Sequence, residues 1–514
     1  MKLSRSPVLK LALFATGLSG IVAEYILSTL ATYFIGDSAT QWSLIVSVML
    51  FSMGLGSRFS KYFNENLLVK FIAIEFTLSI LVSFASLFAY TAAGYTEYVG
   101  FIIYGLSILI GTLIGLEIPL VIRLNEEFES LRINVASVME KDYLGSLVGG
   151  LFFAFVGLPI LGLTYTPFIL GMVNFMVAIL LFLVVKDALK IKAKGLISLS
   201  AVIVFAMIST GAYYASPIIL QGEQARYKDK VVFEKQSKYQ RIVITQWKND
   251  YWLYINGNQQ LSTIDEDKYH EPLIHPALNI IQERKHILVL GGGDGCAVRE
   301  ILKYPDVEKI TLVDLDSVMT NMGKYNPILR ELNEDAFHHP KLEIINTDAF
   351  NFMEKGENYY DAIIVDLPDP RSVELNRLYT LQFYQLCHLK LKKHGVLITQ
   401  AGSPYYATKA FLCIDKTMAA AGFTTQKMHN QVITLGEWGW VMGVKSWPED
   451  KDLKSALQQM SFNVPTRWLN QDAMLLMCNF GKNIYEATND SIAINQIQNP
   501  VLYRYYLQGN WDLY

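Results

Sequence analysis

The sequence predicts two architectures in one chain: a multi-span α-helical membrane part, then a small β-domain and a Rossmann-like, doubly wound α/β domain. Two observations carry this. Residues up to about Ser216 hold seven long apolar runs, and the remainder alternates strand-like and helix-like segments whose strand ends are acidic. With 52% hydrophobic residues among 514 and a mean hydropathy of +0.25, the chain is too apolar for an ordinary water-soluble fold. A net charge of −3 gives no basic footprint for a nucleic-acid partner.

A helix crosses a bilayer with roughly 20 apolar residues. The runs are Leu9–Ile35, Gln41–Phe59, Val69–Tyr90, Val99–Ile122, Tyr143–Leu161, Thr166–Val185 and Leu196–Tyr214. Small residues stud them, as in "SMGLGS", which suits close helix packing in lipid. Glu24, Glu75 and Glu117 lie inside apolar runs, where a carboxylate faces a bundle interior or a cavity. They read either as a polar pathway or amine-binding cavity, or as helix-to-helix hydrogen bonding. Basic residues cluster before the first span (Lys2, Arg5, Lys10) and in alternate connections (Arg58, Lys61, Lys70; Arg123, Arg132, Lys141; Lys186 to Lys194). This puts the N-terminus in the cytoplasm of a multi-pass inner-membrane protein. A literal count of seven leaves the second half outside, whereas one re-entrant element at spans five and six would reverse that.

From about Val231, "RIVITQW" and "YWLYINGNQQL" alternate around the turn signal Asn256-Gly257, giving a small β-domain over 217–265. Residues 266–447 then read as the doubly wound domain. "HILVL", "KITLVDLD", "LEIINTD", "YDAIIVD" and "GVLITQ" are its strands, with helix-like runs between them. Residues 448–514 form a C-terminal extension without a legible role; it could cover the domain, contact the membrane or build a homo-oligomer surface.

Ligands of such sheets bind at the carboxyl ends of the strands. The first strand runs into "VLGGGDGCAVRE", which carries Asp294, and the following strands end at Asp314, Asp348 and Asp366, with Asp369 just beyond. Asp314, about 20 residues past the glycine turn, is placed to take ribose hydroxyls. A nicotinamide cofactor fits that position alone, but Asp294 would repel its pyrophosphate. Clustered carboxylates instead select a cationic amine or sulfonium, and they disfavour a ligand bringing its own carboxylate. As a bare motif, Asp294 is equally a helix N-cap. His338 and His339 lack partner ligands at metal spacing, and no metal is assigned. The four cysteines show no CxxC spacing and read as reduced core residues, although Cys296 opens a helix where a thiol pKa can fall.

The stretches "SKYQRIVI", "NGNQQLSTIDEDKYHEPLIHPAL", "LVLGGGDGCAVREIL", "ITLVDLDS" and "YDAIIVDLPDP" occur in this order over roughly Val231–Lys445. They resemble the spermidine synthases, the polyamine aminopropyltransferases, with their methyltransferase-type fold; the apolar half resembles the membrane-fused bacterial branch. The resemblance implies aminopropyl transfer from decarboxylated S-adenosylmethionine, a co-substrate, to a diamine such as putrescine, with no cofactor. It implies that Gln240, Asp314, Asp348 and Ala349 contact the thioadenosine part and that His270 and Asp294 contact the polyamine. Asp366 would be the proton acceptor, and Asp369 would hold the acceptor amine. The chain departs from soluble members at Leu367 and Pro368, at the acidic residue of "VDLD", which is often Glu in them, and over "RSVELNRLYT". These changes bear on the choice of acceptor. An S-adenosylmethionine-dependent methyltransferase and a polyamine-binding sensor or transporter without turnover remain the alternatives.

Overall fold

The computed structural model describes residues 5–96, 98–486 and 491–511; of the basic residues used for orientation, Lys2 lies outside them. The chain divides into two compact units, Met1–Val231 with Gln236–Lys238, and Val232–Lys235 with Tyr239–Tyr514.

The first unit is helical: α1 (Arg5–Ile35), α2 (Ser38–Phe59), α3 (Leu67–Ala93), α4 (Val99–Asn125), α5 (Leu131–Phe152), α6 (Gly162–Val185) and α7 (Ile191–Gln224). These helices lie in six continuous runs, each long and apolar enough to cross a membrane. The fifth run, Leu131–Ala188, has 58 residues and is two helices: a π-helical stretch, Phe153–Leu161, extends α5, and the chain turns at Gly162 (φ +64°). Thr166 donates to the Gly157 and Gly162 carbonyls at 2.8 and 2.7 Å, satisfying acceptors that the turn would orphan.

Side-chain pairs set the helix directions. Leu18 meets Gly149 while Phe14 meets Gly145, so α1 and α5 run parallel. Gln41 bonds Tyr104, and Arg123 reaches the Ser60 carbonyl, so α2 and α4 run parallel. Phe76 stacks on Phe175 and Phe84 meets Phe168 edge-on, so α3 and α6 are antiparallel. Two helices outrun their apolar stretches. α5 starts at Leu131 rather than Tyr143, because its polar first turns are packed: Asn134 bonds Asn125 and the Ile122 carbonyl, and Asp142 is buried against Gly17. α7 continues past Ser216 to Gln224, carried by buried Ala215 and Ile219 on either side of Pro217.

Next along the chain, β1 (Lys230–Gln236), β2 (Arg241–Trp247), β3 (Asp250–Ile255) and β4 (Asn258–Ser262) form a four-stranded sheet in chain order, narrower than the 217–265 expected. Asn256 and Gly257 both take positive φ (+50° and +79°), the tight hairpin turn that Asn-Gly favours. The doubly wound part follows as α8 (Asp267–Ile280), β5 (His286–Gly291), α9 (Cys296–Leu302), β6 (Lys309–Asp314), α10 (Ser317–Tyr325), α11 (Pro327–Leu332), β7 (Leu342–Asn346), α12 (Ala349–Lys355), β8 (Tyr360–Asp366), β9 (Leu391–Gln400), β10 (Thr424–Val432) and β11 (Gly436–Val444). Its seven strands are ordered β10-β11-β9-β8-β5-β6-β7. The strands from β9 to β7 are parallel, and β11 and β10 are antiparallel.

β5 to β8 is the switch point, and the register aligns the acids there: Gly291 lies opposite Asp366, and Asp314 opposite Asn346. Ile242, Ile244 and Leu253 of the small sheet pack on Met319, Met322 and Leu329, which sets that sheet over the carboxyl ends of the strands. The segment after Trp447 belongs to the same unit: Leu457, Met474 and Met477 join its core, and Glu271 accepts the backbone N–H groups of Trp468 and Leu469 at 3.0 and 2.8 Å.

Candidate active site

A cavity opens at the switch point, and its chemistry is one-sided. Among the described residues, its walls carry five aspartates (Asp294, Asp314, Asp316, Asp348 and Asp366) and no lysine or arginine. Gln240, His270 and Ala349 line it as well, so seven of the eight residues singled out by sequence share one cavity.

The glycine loop makes this possible. Gly291 has φ +86°, and a Cβ there would sit 2.0 Å from the Asp366 carbonyl, so only glycine lets the β5 loop close on β8. Gly295, with positive φ, is the cap residue of the following helix; Asp294 Oδ1 accepts the N–H of Cys296, its first residue, at 2.8 Å and stands 3.8 Å from His270 Nε2. Asp294 is therefore not the N-cap that the bare motif allowed; it lines the cavity, and Gly295 caps the helix. Asp314 ends β6 and accepts the Asp316 N–H at 2.7 Å. Burial, together with the charges of Asp316, Asp294 and Asp366, pushes it up to about 7 despite that hydrogen bond. Asp348 caps α12 through the Asn351 N–H at 2.9 Å and pairs with Arg377.

Asp366 accepts a hydrogen bond from the Tyr269 hydroxyl at 2.8 Å. Burial and the Asp294 charge raise its pKa to about 6, against the lowering effects of His270 and Tyr269. Tyr269 lines the cavity and holds this carboxylate. Tyr239 lines the cavity as well.

His270 belongs to a buried relay that the sequence did not single out. Its Nδ1 donates to Glu266 Oε2 at 2.8 Å, and Arg299 binds both Glu266 oxygens at 2.9 Å. Burial alone would lower the His270 pKa, but Glu266, Asp294 and Asp366 outweigh it and raise it to about 9. Glu266, penalised by burial, is held down to about 2 by His270 and Arg299. The available signal was a Glu and a His one helical turn apart in "EDKYH".

Asp369 is placed differently from the other acids. Its Oδ2 accepts from Tyr506 and faces Arg371 at 3.5 Å, outside the cavity lining, and Tyr506 comes from the C-terminal extension. Cys296, Cys387, Cys413 and Cys478 are buried free thiols. Burial and the charges of Asp294 and Glu266 push the Cys296 thiol up, so the helix start does not activate it. His270, Asp294 and Asp366 present ligand atoms within 4.8 Å of one another. Such a set attracts a cation of any kind, an ammonium included.

Fold and site together define a class: Rossmann-like transferases that bind a nucleoside at the strand ends and select a cationic partner. Residues 266–455 match the family model of the spermine/spermidine synthase domain. The chain is 41% identical over 505 residues to polyamine aminopropyltransferase 2 of Aquifex aeolicus, covering 98% of this chain and 99% of that one. It is 38% identical over 490 residues to the polyamine aminopropyltransferase of Leptospira interrogans, covering 95% of each. A solved spermidine synthase from Thermotoga maritima aligns with 50% of this chain and 86% of its own, at 25% identity and a TM-score of 0.44. The chain belongs to the spermine/spermidine synthase family, and its similarity to the first two relatives runs through the helical unit as well as the catalytic one.

Proposed function

We propose that this chain is a membrane-bound polyamine aminopropyltransferase that moves the aminopropyl group of decarboxylated S-adenosylmethionine to a diamine such as putrescine, giving spermidine and methylthioadenosine. The observation that carries the reading is the cavity with five aspartates and, among the described residues, no basic side chain other than His270. Such a cavity holds a sulfonium donor and an ammonium acceptor, and it repels the methionine carboxylate of the undecarboxylated donor.

The roles follow from position. Asp314 takes the ribose hydroxyls of the thioadenosine part, Gln240 contacts it from the small sheet, and Asp348 with Ala349 borders the adenine. Asp294 and His270 receive the amine end. A primary amine near pKa 10 is protonated at neutral pH and cannot attack. Asp366 takes a proton as the nitrogen bonds the propyl carbon; the carbon–sulfur bond breaks, and its electron pair stays on a sulfur that leaves neutral. The donor carries its own leaving group, so no prosthetic group is needed. Asp369, clasped by Tyr506 and Arg371, shapes the acceptor end.

An experiment on Asp294 tests the charge argument. In Asp294→Asn, inhibition by S-adenosylmethionine should tighten by roughly ten- to a hundredfold, the scale of removing one like-charge contact. An unchanged inhibition constant would contradict it.

The helical unit we read as a multi-pass bundle in the cell membrane. Seven helices of alternating direction, with basic residues before α1 and after α2, α4 and α6, support a cytoplasmic N-terminus and place residues after α7 on the opposite side. Reporter fusions after Gln224 should be active only outside the cytoplasm; activity confined to the cytoplasm would overturn the count.

A further inference from the structure

Of the buried carboxyl groups in the helical unit, none of which the proposed reaction uses, three gather at one level. Glu75 and Glu117 are fully buried, and Asp142 is nearly so. They come from three helices, and two more helices bring polar groups to the same level. Thr16 of α1 donates to Glu117 of α4, and Ser19 of α1 donates to Asn174 of α6 at 2.7 Å. Asp142 of α5 lies against Gly17 of α1. Glu75 of α3 is within electrostatic range of Glu117, and Glu117 of Asp142.

Counting along the helices shows the level. Thr16 stands 11 residues after Arg5, Glu75 stands 8 after Leu67, and Asp142 stands 11 after Leu131; Glu117 stands 8 before Asn125, and Asn174 stands 11 before Val185. Because α4 and α6 run opposite to α1, α3 and α5, these positions lie about 12 to 17 Å from the same end of the bundle. That is the depth at which membrane proteins place charged-ligand sites.

The second observation is what these groups lack. Neither carboxylate oxygen of Glu75 has a hydrogen-bond partner, nor does Glu117 Oε1. The basic side chains nearest in sequence are committed elsewhere: Lys10 to Glu129, Lys141 to Glu140, Arg123 to the Ser60 and Phe63 carbonyls, and Lys70 over the Phe63 ring. Buried carboxyl groups without a cation or donors are costly, and in apolar surroundings they mark a ligand. Further along the face of α3 that bears Glu75, the Ser86 hydroxyl is also buried without a partner, whereas Ser83 packs against Gly171 of α6.

The spread of these acceptors indicates the shape of the ligand. Among the described residues, the side-chain groups compact enough to hold one metal ion do not include Glu75, Glu117 or Asp142. From Glu75 to Ser86 the acceptors extend over about 16 Å of helix. We propose that the bundle contains a binding site for a linear protonated amine, with its ammonium group among Glu75, Glu117 and Asp142 and its chain directed toward Ser86 of α3. The amine class rests on the functional reading of the catalytic unit; the site itself rests on the bundle.

The test uses the full-length protein in lipid nanodiscs and labelled putrescine, counting molecules bound per chain at equilibrium. Wild type should bind about two. Glu75→Gln and Glu117→Gln should each bind about one and keep aminopropyl transfer within roughly twofold, while Asp294→Asn should lose the other. Ser86→Ala, which removes no charge, should weaken the bundle site roughly fivefold, the scale of one hydrogen bond, and serves where a glutamine variant folds poorly. One putrescine per wild-type chain, two in both glutamine variants, or loss of the second on addition of excess sodium would each overturn the proposal. A wild-type protein without transferase activity would instead refute the functional reading, and the two failures are separable.

Discussion

Asp366→Asn lowers the aminopropyl-transfer rate by roughly two to four orders of magnitude, the usual contribution of a positioned proton acceptor. Asparagine keeps the shape and can still accept from Tyr269, whose hydroxyl lies 2.8 Å from Asp366 Oδ1. What it loses is the capacity to take the amine proton. Donor affinity should hold, because Asp314 and Asp348 are untouched. A pH signature goes with the loss. Burial and Asp294 hold the Asp366 pKa at about 6. Wild-type kcat/KM should therefore fall as pH drops through about 6, since a protonated Asp366 cannot accept, and the variant should lack that limb. A variant within tenfold of wild type in single-turnover measurements would remove Asp366 from the mechanism.

Glu266→Gln should destabilise the catalytic unit by about 3 to 5 kcal/mol, the scale for breaking a buried ion pair from one side. Glu266 and Arg299 are almost completely buried, with two contacts of 2.9 Å between them, and His270 shares the same carboxylate. Glutamine leaves the Arg299 charge with Glu300 alone among its acidic partners. It also removes the first group that keeps His270 protonated. Because the folded-state pKa of Glu266 is depressed to about 2, its contribution is complete above the ordinary glutamate range and is lost only as pH falls through about 2. Denaturant midpoints at neutral pH measure the cost. A change below about 1 kcal/mol would mean that the relay is not stabilising. Acceptor KM should rise in the same variant, since His270 Nε2 faces Asp294 only while its ring is held.

The strand-end acids were legible in sequence because a parallel sheet sends every carboxyl end to one edge, so their position along the chain already implied convergence. Asp294, Asp314, Asp348 and Asp366 needed no long-range information to be grouped. Tyr506 did: it reaches Asp369 across 137 residues from a segment without a motif. Arg299 was hidden for another reason. In "CAVREIL" it looks like an ordinary charged helix residue, and only the burial of α9 against α8 makes it a counter-ion. In the helical unit, hydropathy located the centres of the helices but cut α5 short at its start, because Asn134 and Asp142 read as loop when they are in fact packed polar residues.

The central claim is tested most directly by the products of one incubation. Purified protein is given decarboxylated S-adenosylmethionine and putrescine, and the sulfur product and the amine are identified by mass. The account predicts methylthioadenosine and spermidine in equal amounts, with no turnover of S-adenosylmethionine itself. S-adenosylhomocysteine together with a methylated acceptor, formed from S-adenosylmethionine, would contradict it.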